Sequence, residues 1–330
     1  MEEQAFPLGD NNSPVWRVHG DPKKERIVRQ SSTISIKWLD ADQPLEDYRR
    51  SLDLDTGVAT ATWKRGGSHF TLTELADLAD GVLLVHLLTD MPGSLGFRVQ
   101  FENVAGAPTG NRGELNCEGI RLCVLPFESE VESDDKAMQV RGEGEALIVI
   151  SAGAGSLATL AAKYDPGAEH PDATKLWTKA LEAHTAVHRA RMGDCVIDLG
   201  GHEAAAKPTD ERLKVTNWEA SDPDLAELMD RYARYSAALC LPPPEKSSFL
   251  EHLIDDQNDT VVLLPALPPA WKDGSAKNLP LGGILPTELK LDMTWKDGRV
   301  TDYSIRRVAG KGPGKIRVRV NGGEQEISVR

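Results

Sequence analysis

The chain has 330 residues, room for two domains at ~100–200 residues each, and its 40% hydrophobic and 27% charged residues are ordinary for a globular protein. With 51 acidic against 38 basic residues the formal charge is −13, which repels a phosphate backbone and argues against a nucleic-acid partner. No apolar run approaches the ~20 residues of a membrane span, and Met1-Glu2-Glu3-Gln4 lacks the basic and apolar regions of a signal peptide, so a cytoplasmic protein with no membrane partner is expected.

The first 150 residues follow the two-residue period of half-buried strands. Ile34, Ile36 and Trp38 fall on one face, with Ser35 and Lys37 on the other. Leu52-Asp53-Leu54 leads through Asp55-Thr56-Gly57 into Val58 to Trp63, a hairpin pattern in which Gly57 supplies the positive φ of a tight turn. Leu95, Phe97, Val99 and Phe101 alternate cleanly, while Gly81 to Leu88 and Ala146 to Ile150 are apolar on both faces and read as central strands. Short strands divided by glycine-rich turns predict an antiparallel β-sandwich, supersandwich-like in form.

From Asp172 the period becomes helical, with Leu176, Trp177, Ala180, Leu181, His184, Val187 and His188 on one stripe. A second helix is predicted from Asp222 as N-cap and Pro223 at the first position, through Leu225, Leu228, Met229, Tyr232 and Tyr235, and ending before Pro242-Pro243-Pro244. Glu245 to Asp259 reads as a polar surface connection. A second β region follows, marked by Val261 to Leu264, by Leu289, Leu291 and Met293, and by Val300 to Ile305. It closes in the Ile316 to Val329 hairpin around Asn321-Gly322. The expected class is therefore mainly β with a few helices: a β-sandwich domain over 1–165, a helical linker over 166–260, and a small C-terminal antiparallel β domain over 261–330.

The search for chemistry gives little. Cysteines 117, 123, 195 and 240 show no CxxC spacing. Cys117 and Cys123 either pair across neighbouring strands or lie as buried free thiols, and the second is expected. His184 and His188 share a helix face at metal-ligand spacing, but no glutamate stands between them as a general base and no third ligand is evident, so they read as partly buried, hydrogen-bonded histidines. Gly142-x-Gly144 and Gly153-x-Gly155 lack the continuation of a phosphate loop, and the acidic run Glu128 to Asp135 lacks the spacing of a calcium loop and reads as solvated. No metal site and no cofactor are expected. Of seven tryptophans, most fall in phase with buried positions. Trp271 and Trp295, each in a Trp-Lys-Asp-Gly sequence beside a turn, are the two candidates for stacking on a sugar ring.

Several segments, in order, resemble glycoside hydrolase family 95, the inverting α-L-fucosidases. Gln4-Ala5-Phe6-Pro7-Leu8-Gly9 is similar to the family's opening phrase, with Asp10 and Asn11 in place of its Asn-Gly. Tyr48-Arg49-Arg50-Ser51-Leu52-Asp53-Leu54 followed by Thr56-Gly57 resembles its N-terminal β domain. Pro208-Thr209-Asp210-Glu211-Arg212-Leu213 resembles a signature of its linker, in which His188 stands for a tyrosine and Asp194 for an arginine. Asp222 to Tyr235 resembles the first helix of its (α/α)6 barrel, with Ala233 for a glycine, and Leu263 to Pro268 with Trp271 and Asp273-Gly274 resembles its C-terminal β region.

The resemblance implies hydrolysis of terminal α-L-fucosyl linkages and fucosylated glycans as partners, in a family whose members are often secreted. The barrel that carries the family's catalytic carboxyl groups would lie between Tyr235 and Leu263, where this chain has only about two dozen residues, enough for one short helix and a loop. No catalytic residue is assigned. Two readings follow: a fucosidase homologue inactive by itself, with an uncovered face open to a protein partner or a second copy, or a non-catalytic carbohydrate- or protein-binding β protein whose helix has been covered again.

Overall fold

In the computed structural model the described residues are 15–18, 32–40, 42–102, 108–111, 113–117, 119–126, 130–133, 137–152, 156–215, 221–238, 248–256, 260–281, 289–308 and 314–329. The chain divides into two compact units, Met1–His188 and Arg189–Arg330. The opening phrase, Gly153 to Gly155, the Pro242 to Pro244 run and Cys240 lie outside the described residues.

The first unit takes its strands in the order β1 Val15–Val18, β2 Ser32–Trp38, β3 Glu46–Asp53, β4 Val58–Arg65, β5 Ser68–Asp77, β6 Val82–Thr89, β7 Leu95–Glu102, β8 Thr109–Asn111, β9 Glu114–Cys117, β10 Ile120–Pro126, β11 Glu130–Ser133, β12 Ala137–Gly142 and β13 Glu145–Ser151. They form a five-stranded sheet, β1-β2-β7-β12-β11, and an eight-stranded sheet, β3-β4-β5-β6-β13-β10-β9-β8. The expected sandwich is present. Ile34, Ile36, Phe97, Val99 and Val140 of the smaller sheet meet Leu72, Val85, Leu122 and Ile148 of the larger one in a single core. Within it Trp38, Trp63, Phe70 and Phe97 form an aromatic cluster, with the Trp38 and Trp63 rings edge to face at 5.1 Å.

Strands β6 and β13 lie side by side in the middle of the larger sheet, as their two-faced apolar runs predict. Their second face is covered by α1 (Leu157–Tyr164) and α2 (Ala173–Met192), whose Leu160, Leu176, Trp177 and Ala180 pack on Leu75, Val82, Leu84, Leu147 and Val149. Each large side chain so buried contributes about 1.5–3 kcal/mol, which fixes α2 to the sheet. Helix α1 begins in a reciprocal cap between Ser156 and Thr159. The β3–β4 turn holds Gly57 at φ 68°, and a Cβ there would lie 3.1 Å from His184 Nε2, so both the turn and the approach of α2 exclude a side chain.

The linker read over 166–260 is not a unit of its own. Its first helix shares the core of the first unit, and the remainder shares the core of the second. There, β14 (Val196–Asp198), α3 (Thr209–Arg212), α4 (Pro223–Ala238) and α5 (Ser248–Leu253) precede β15 (Ile254–Asp255), β16 (Thr260–Leu263), β17 (Gly274–Pro280), β18 (Leu289–Lys296), β19 (Arg299–Arg307), β20 (Lys315–Val320) and β21 (Gly323–Ser328). One sheet runs β14-β17-β18-β19 and the other β15-β16-β20-β21, in which β16 and β20 are parallel, unlike the wholly antiparallel sheet expected. Leu291, Met293 and Trp295 of the first sheet meet Val261, Leu263 and Val318 of the second, giving a smaller two-sheet core.

Two further readings need correction. The supposed surface connection contains α5 and β15, and Leu253 and Ile254 are buried, because these two apolar residues supply the end of the second core. Within the acidic run, Glu130–Ser133 is an edge strand with Val131 buried and Glu132 exposed, so the alternation outweighs the charge. Cys117 and Cys123 are free and buried. They belong to opposite faces of the larger sheet, one in each core layer, which prevents a disulfide.

Candidate functional site

The two tryptophans expected as sugar platforms are core residues. Trp271 has no exposed surface and Trp295 only 3%, so neither ring offers a face to a ligand. The two Trp-Lys-Asp-Gly copies dock on one another instead. Trp295 Nε1 donates to the Trp271 carbonyl at 2.8 Å, Asp273 Oδ1 accepts from the Asp297 amide at 2.8 Å, and the Gly298 amide donates to the Lys272 carbonyl at 2.7 Å. A Cβ on Gly274 would fall 2.4 Å from the Trp295 ring, so this glycine lets the indole close on the backbone. The recurring tetrapeptide thus forms a joint inside the second core, beyond the turn chemistry read from the sequence.

His184 and His188 are more buried than expected, at 1% and 0% exposure, and their rings stack at 5.5 Å. His184 Nδ1 accepts from the Leu78 amide at 3.1 Å, which makes this nitrogen the unprotonated one, and His188 Nε2 donates to the Leu54 carbonyl at 2.8 Å. Beside them Asp77 is nearly fully buried, and burial pushes its carboxyl up to about 6 despite the Ala79 amide it accepts. These bonds seal α2 to the turns after β3 and β5, and the hydrogen-bonded reading of the pair stands.

A charged cluster in the second unit surrounds the first turns of α4. Asp222 caps the helix, its Oδ1 accepting from the Leu225 amide at 3.0 Å. The buried Arg212 guanidinium grips both Asp222 oxygens, at 2.9 and 2.7 Å, and Asp224 Oδ2 at 2.8 Å. It holds the Asp222 carboxyl below the usual carboxylate range, while that hydrogen bond keeps the guanidinium protonated. The linker signature Pro208 to Leu213 therefore has a positioning role here, since its arginine orients the helix N-terminus.

His202, in a single 3-10 turn at His202–Ala204, reaches the same place. Its Nδ1 lies 3.3 Å from Asp224 Oδ1, its Nε2 lies 3.5 Å from Asp198 Oδ1, and the Asp224 contact raises its pKa. Glu227 accepts from the Leu199 amide at 2.5 Å, and burial raises its carboxyl. One turn further on, Asp230 pairs with Arg234, and burial pushes the Asp230 carboxyl up against that pairing. Arg234 also donates to the Cys195 carbonyl at 2.6 Å. Asp194, where the family resemblance has an arginine, pairs with Lys290.

His202, Asp224 and Glu227 bring one donor atom each to within 4.8 Å of one another. The sequence reading missed this group because its members come from two segments 22 residues apart. The available signal is the pair of helical spacings, Asp198 to His202 and Asp224 to Glu227, on either side of an arginine-bearing signature.

Residues 17–161 match the N-terminal domain of glycosyl hydrolase family 65, and residues 256–329 match the C-terminal domain of glycoside hydrolase family 95. Both ends of the chain are thus similar to domains of glycoside hydrolases. Its two matched domains correspond to the two β regions, with residues 162–255 between the matches. Alpha-L-fucosidase 2 of Arabidopsis thaliana is 29% identical to this chain over 100 residues, 30% of this chain and 11% of that protein. A solved structure described as "Putative kojibiose phosphorylase from human microbiome" aligns with 64% of this chain and 32% of its own, at 10% identity and a TM-score of 0.38. The chain thus matches well under two thirds of the length of either of these two proteins. No helix among its described residues is long and apolar enough to cross a membrane.

Proposed function

We propose that this chain is a non-catalytic scaffold derived from an α-L-fucosidase-like glycoside hydrolase. Inverting hydrolysis needs two carboxyl groups held ~6.5–9.5 Å apart across the scissile bond, with a water between one of them and the sugar. In the resembling family those groups belong to a barrel, and here α4 ends at Ala238 and β16 begins at Thr260, with α5 and β15 described between them. That interval is the observation that carries the reading, because it is too short for a ring of paired helices. Incubation of the purified chain with 4-nitrophenyl α-L-fucoside tests it. Release of nitrophenol at the buffer rate is expected, and saturable turnover that co-purifies with the chain would overturn it.

A binding role is the second reading, and one observation favours it over an unused remnant. An abandoned first barrel helix would leave its apolar side bare. On α4, Leu225, Ala226, Ala233 and Tyr235 are all buried, and Tyr232 is the large apolar residue left exposed among the described ones. A covered helix fits a protein retained for a task other than cleavage, with fucosylated glycans or a protein partner as the ligand class. Titration with fucose-terminated oligosaccharides, followed by tryptophan-independent calorimetry, separates the two: saturable heat supports glycan binding, and its absence leaves the protein partner.

A further inference from the structure

We propose that His202, Asp224 and Glu227 form a binding site for a divalent transition-metal ion, with Zn2+ the probe of choice. This goes beyond the reading above and is independent of whether the chain cleaves a glycoside. The donor atoms already converge within 4.8 Å, with His202 Nδ1 hydrogen-bonded to Asp224 Oδ1 at 3.3 Å, and the two carboxylates are also held from outside the group. Asp224 gives Oδ2 to Arg212 and turns Oδ1 towards the imidazole. Glu227 accepts the Leu199 amide through Oε1, which leaves Oε2. Asp198 Oδ1 stands 3.5 Å from His202 Nε2 and is itself fixed by the Gly200 amide at 2.9 Å.

That last contact orients the ring from its far side, as an outer carboxylate does for a ligating histidine, while the Nδ1 hydrogen bond to Asp224 Oδ1 is the one an incoming ion would replace, displacing the Nδ1 proton. The backbone holds the imidazole in place as well: Gly201 is at φ 70°, and a Cβ there would lie 2.9 Å from Pro223 Cγ, so the 3-10 turn sits against the start of α4. A helix N-terminus disfavours a cation, but Asp198, Asp222, Asp224 and Glu227 outnumber the Arg212 charge and the Lys207 charge that also acts on Asp222. The donor set of one imidazole and two carboxylates suits zinc with further positions left to water. Calcium and magnesium prefer all-oxygen shells and should bind more weakly. Bound there, the ion would clip the segment after β14 to the first two turns of α4.

The test is calorimetric titration of the tag-free, chelator-treated full chain with ZnCl2, repeated on His202→Gln, Glu227→Gln and Asp198→Asn, with circular dichroism to verify that each variant is folded. His202 is largely exposed, and a glutamine at 227 retains an oxygen for the Leu199 amide, so both variants should fold. One zinc per chain is expected, weakened at least tenfold by either ligand substitution and about tenfold by Asp198→Asn, which acts by positioning. Cobalt substituted for zinc should give a visible absorption band that His202→Gln abolishes. Zinc binding that is absent from the native chain, or unchanged in His202→Gln, overturns the proposal and leaves His202 as a charged histidine bridging two carboxylates.

Discussion

Each unit buries an apolar core between two sheets, the larger in the first, yet they secure their helices by different means. In the first, α2 lies on the central strands through Leu176, Trp177 and Ala180, and the polar groups below it, Asp77, His184 and His188, are sealed from water. In the second, the start of α4 is held by a half-solvated network that Arg212 centres. A helix lying flat on a sheet can rely on apolar area. The start of α4 relies instead on directional bonds to fix its orientation, and Arg212 supplies them. The contrast shows that one chain can fix a helix by apolar area in one unit and by a charged network in the other.

The comparison can be broken at several points. Trp271→Ala empties a fully buried indole site and should cost about 3–5 kcal/mol, in the second unit only. Hydrogen exchange would then speed up across β16 and β20 while β6 and β13 keep their protection, and equal losses in both units would show that they are not separate. Arg212→Ala leaves Asp222 and Asp224 without their buried cation. Because these carboxylates retain some contact with water, about 2–3 kcal/mol is expected, below the full cost of an orphaned buried charge. Denaturant midpoints followed by α4 exchange would register it.

Asp77 gives a pH-dependent contrast. Its native carboxyl titrates at about 6, above the unfolded value of 3.8, so between these values the native state binds more protons and this group's contribution to stability falls as pH rises. Asp77→Asn should therefore stabilise the first unit by roughly 1–2 kcal/mol at pH 8 and by almost nothing at pH 4. A difference that does not vary with pH would contradict the buried-carboxyl account. The smallest effect is Ser156→Ala, about 1 kcal/mol from loss of the α1 cap, confined to that helix in amide exchange.

Period and turn chemistry made most of the β architecture legible. The Gly57 hairpin, the central pair β6 and β13, the Asn321-Gly322 turn and both long helices follow from local signals. Asn321 also reaches the other sheet, donating to the Val300 carbonyl at 2.8 Å, a tertiary contact that no local pattern reveals. Helix α1 escaped because it is two turns long and its cap pairs serine with threonine, without the usual Glu or Gln. Leu253 and Ile254 escaped because Phe249, Leu250, Leu253 and Ile254 recur at helical spacing over little more than one turn, too short a run to stand out in a polar stretch. Trp271 and Trp295 looked exposed because each adjoins a turn. Their burial depends on one copy of the tetrapeptide meeting the other across 24 residues. The His202 cluster has the same cause, since convergence of distant segments is a property of the fold.

Amide hydrogen exchange along α4 tests most directly whether this architecture holds its own without a barrel. If the helix is packed as described, the amides from Met229 to Ser236 should exchange as slowly as those of β18 and β19, in line with the burial of Ala233 and Tyr235. Exchange there at the rate of an unprotected peptide, with the strands still protected, would mean that α4 is a bare remnant awaiting a missing partner, and the account of a self-sufficient scaffold would fail.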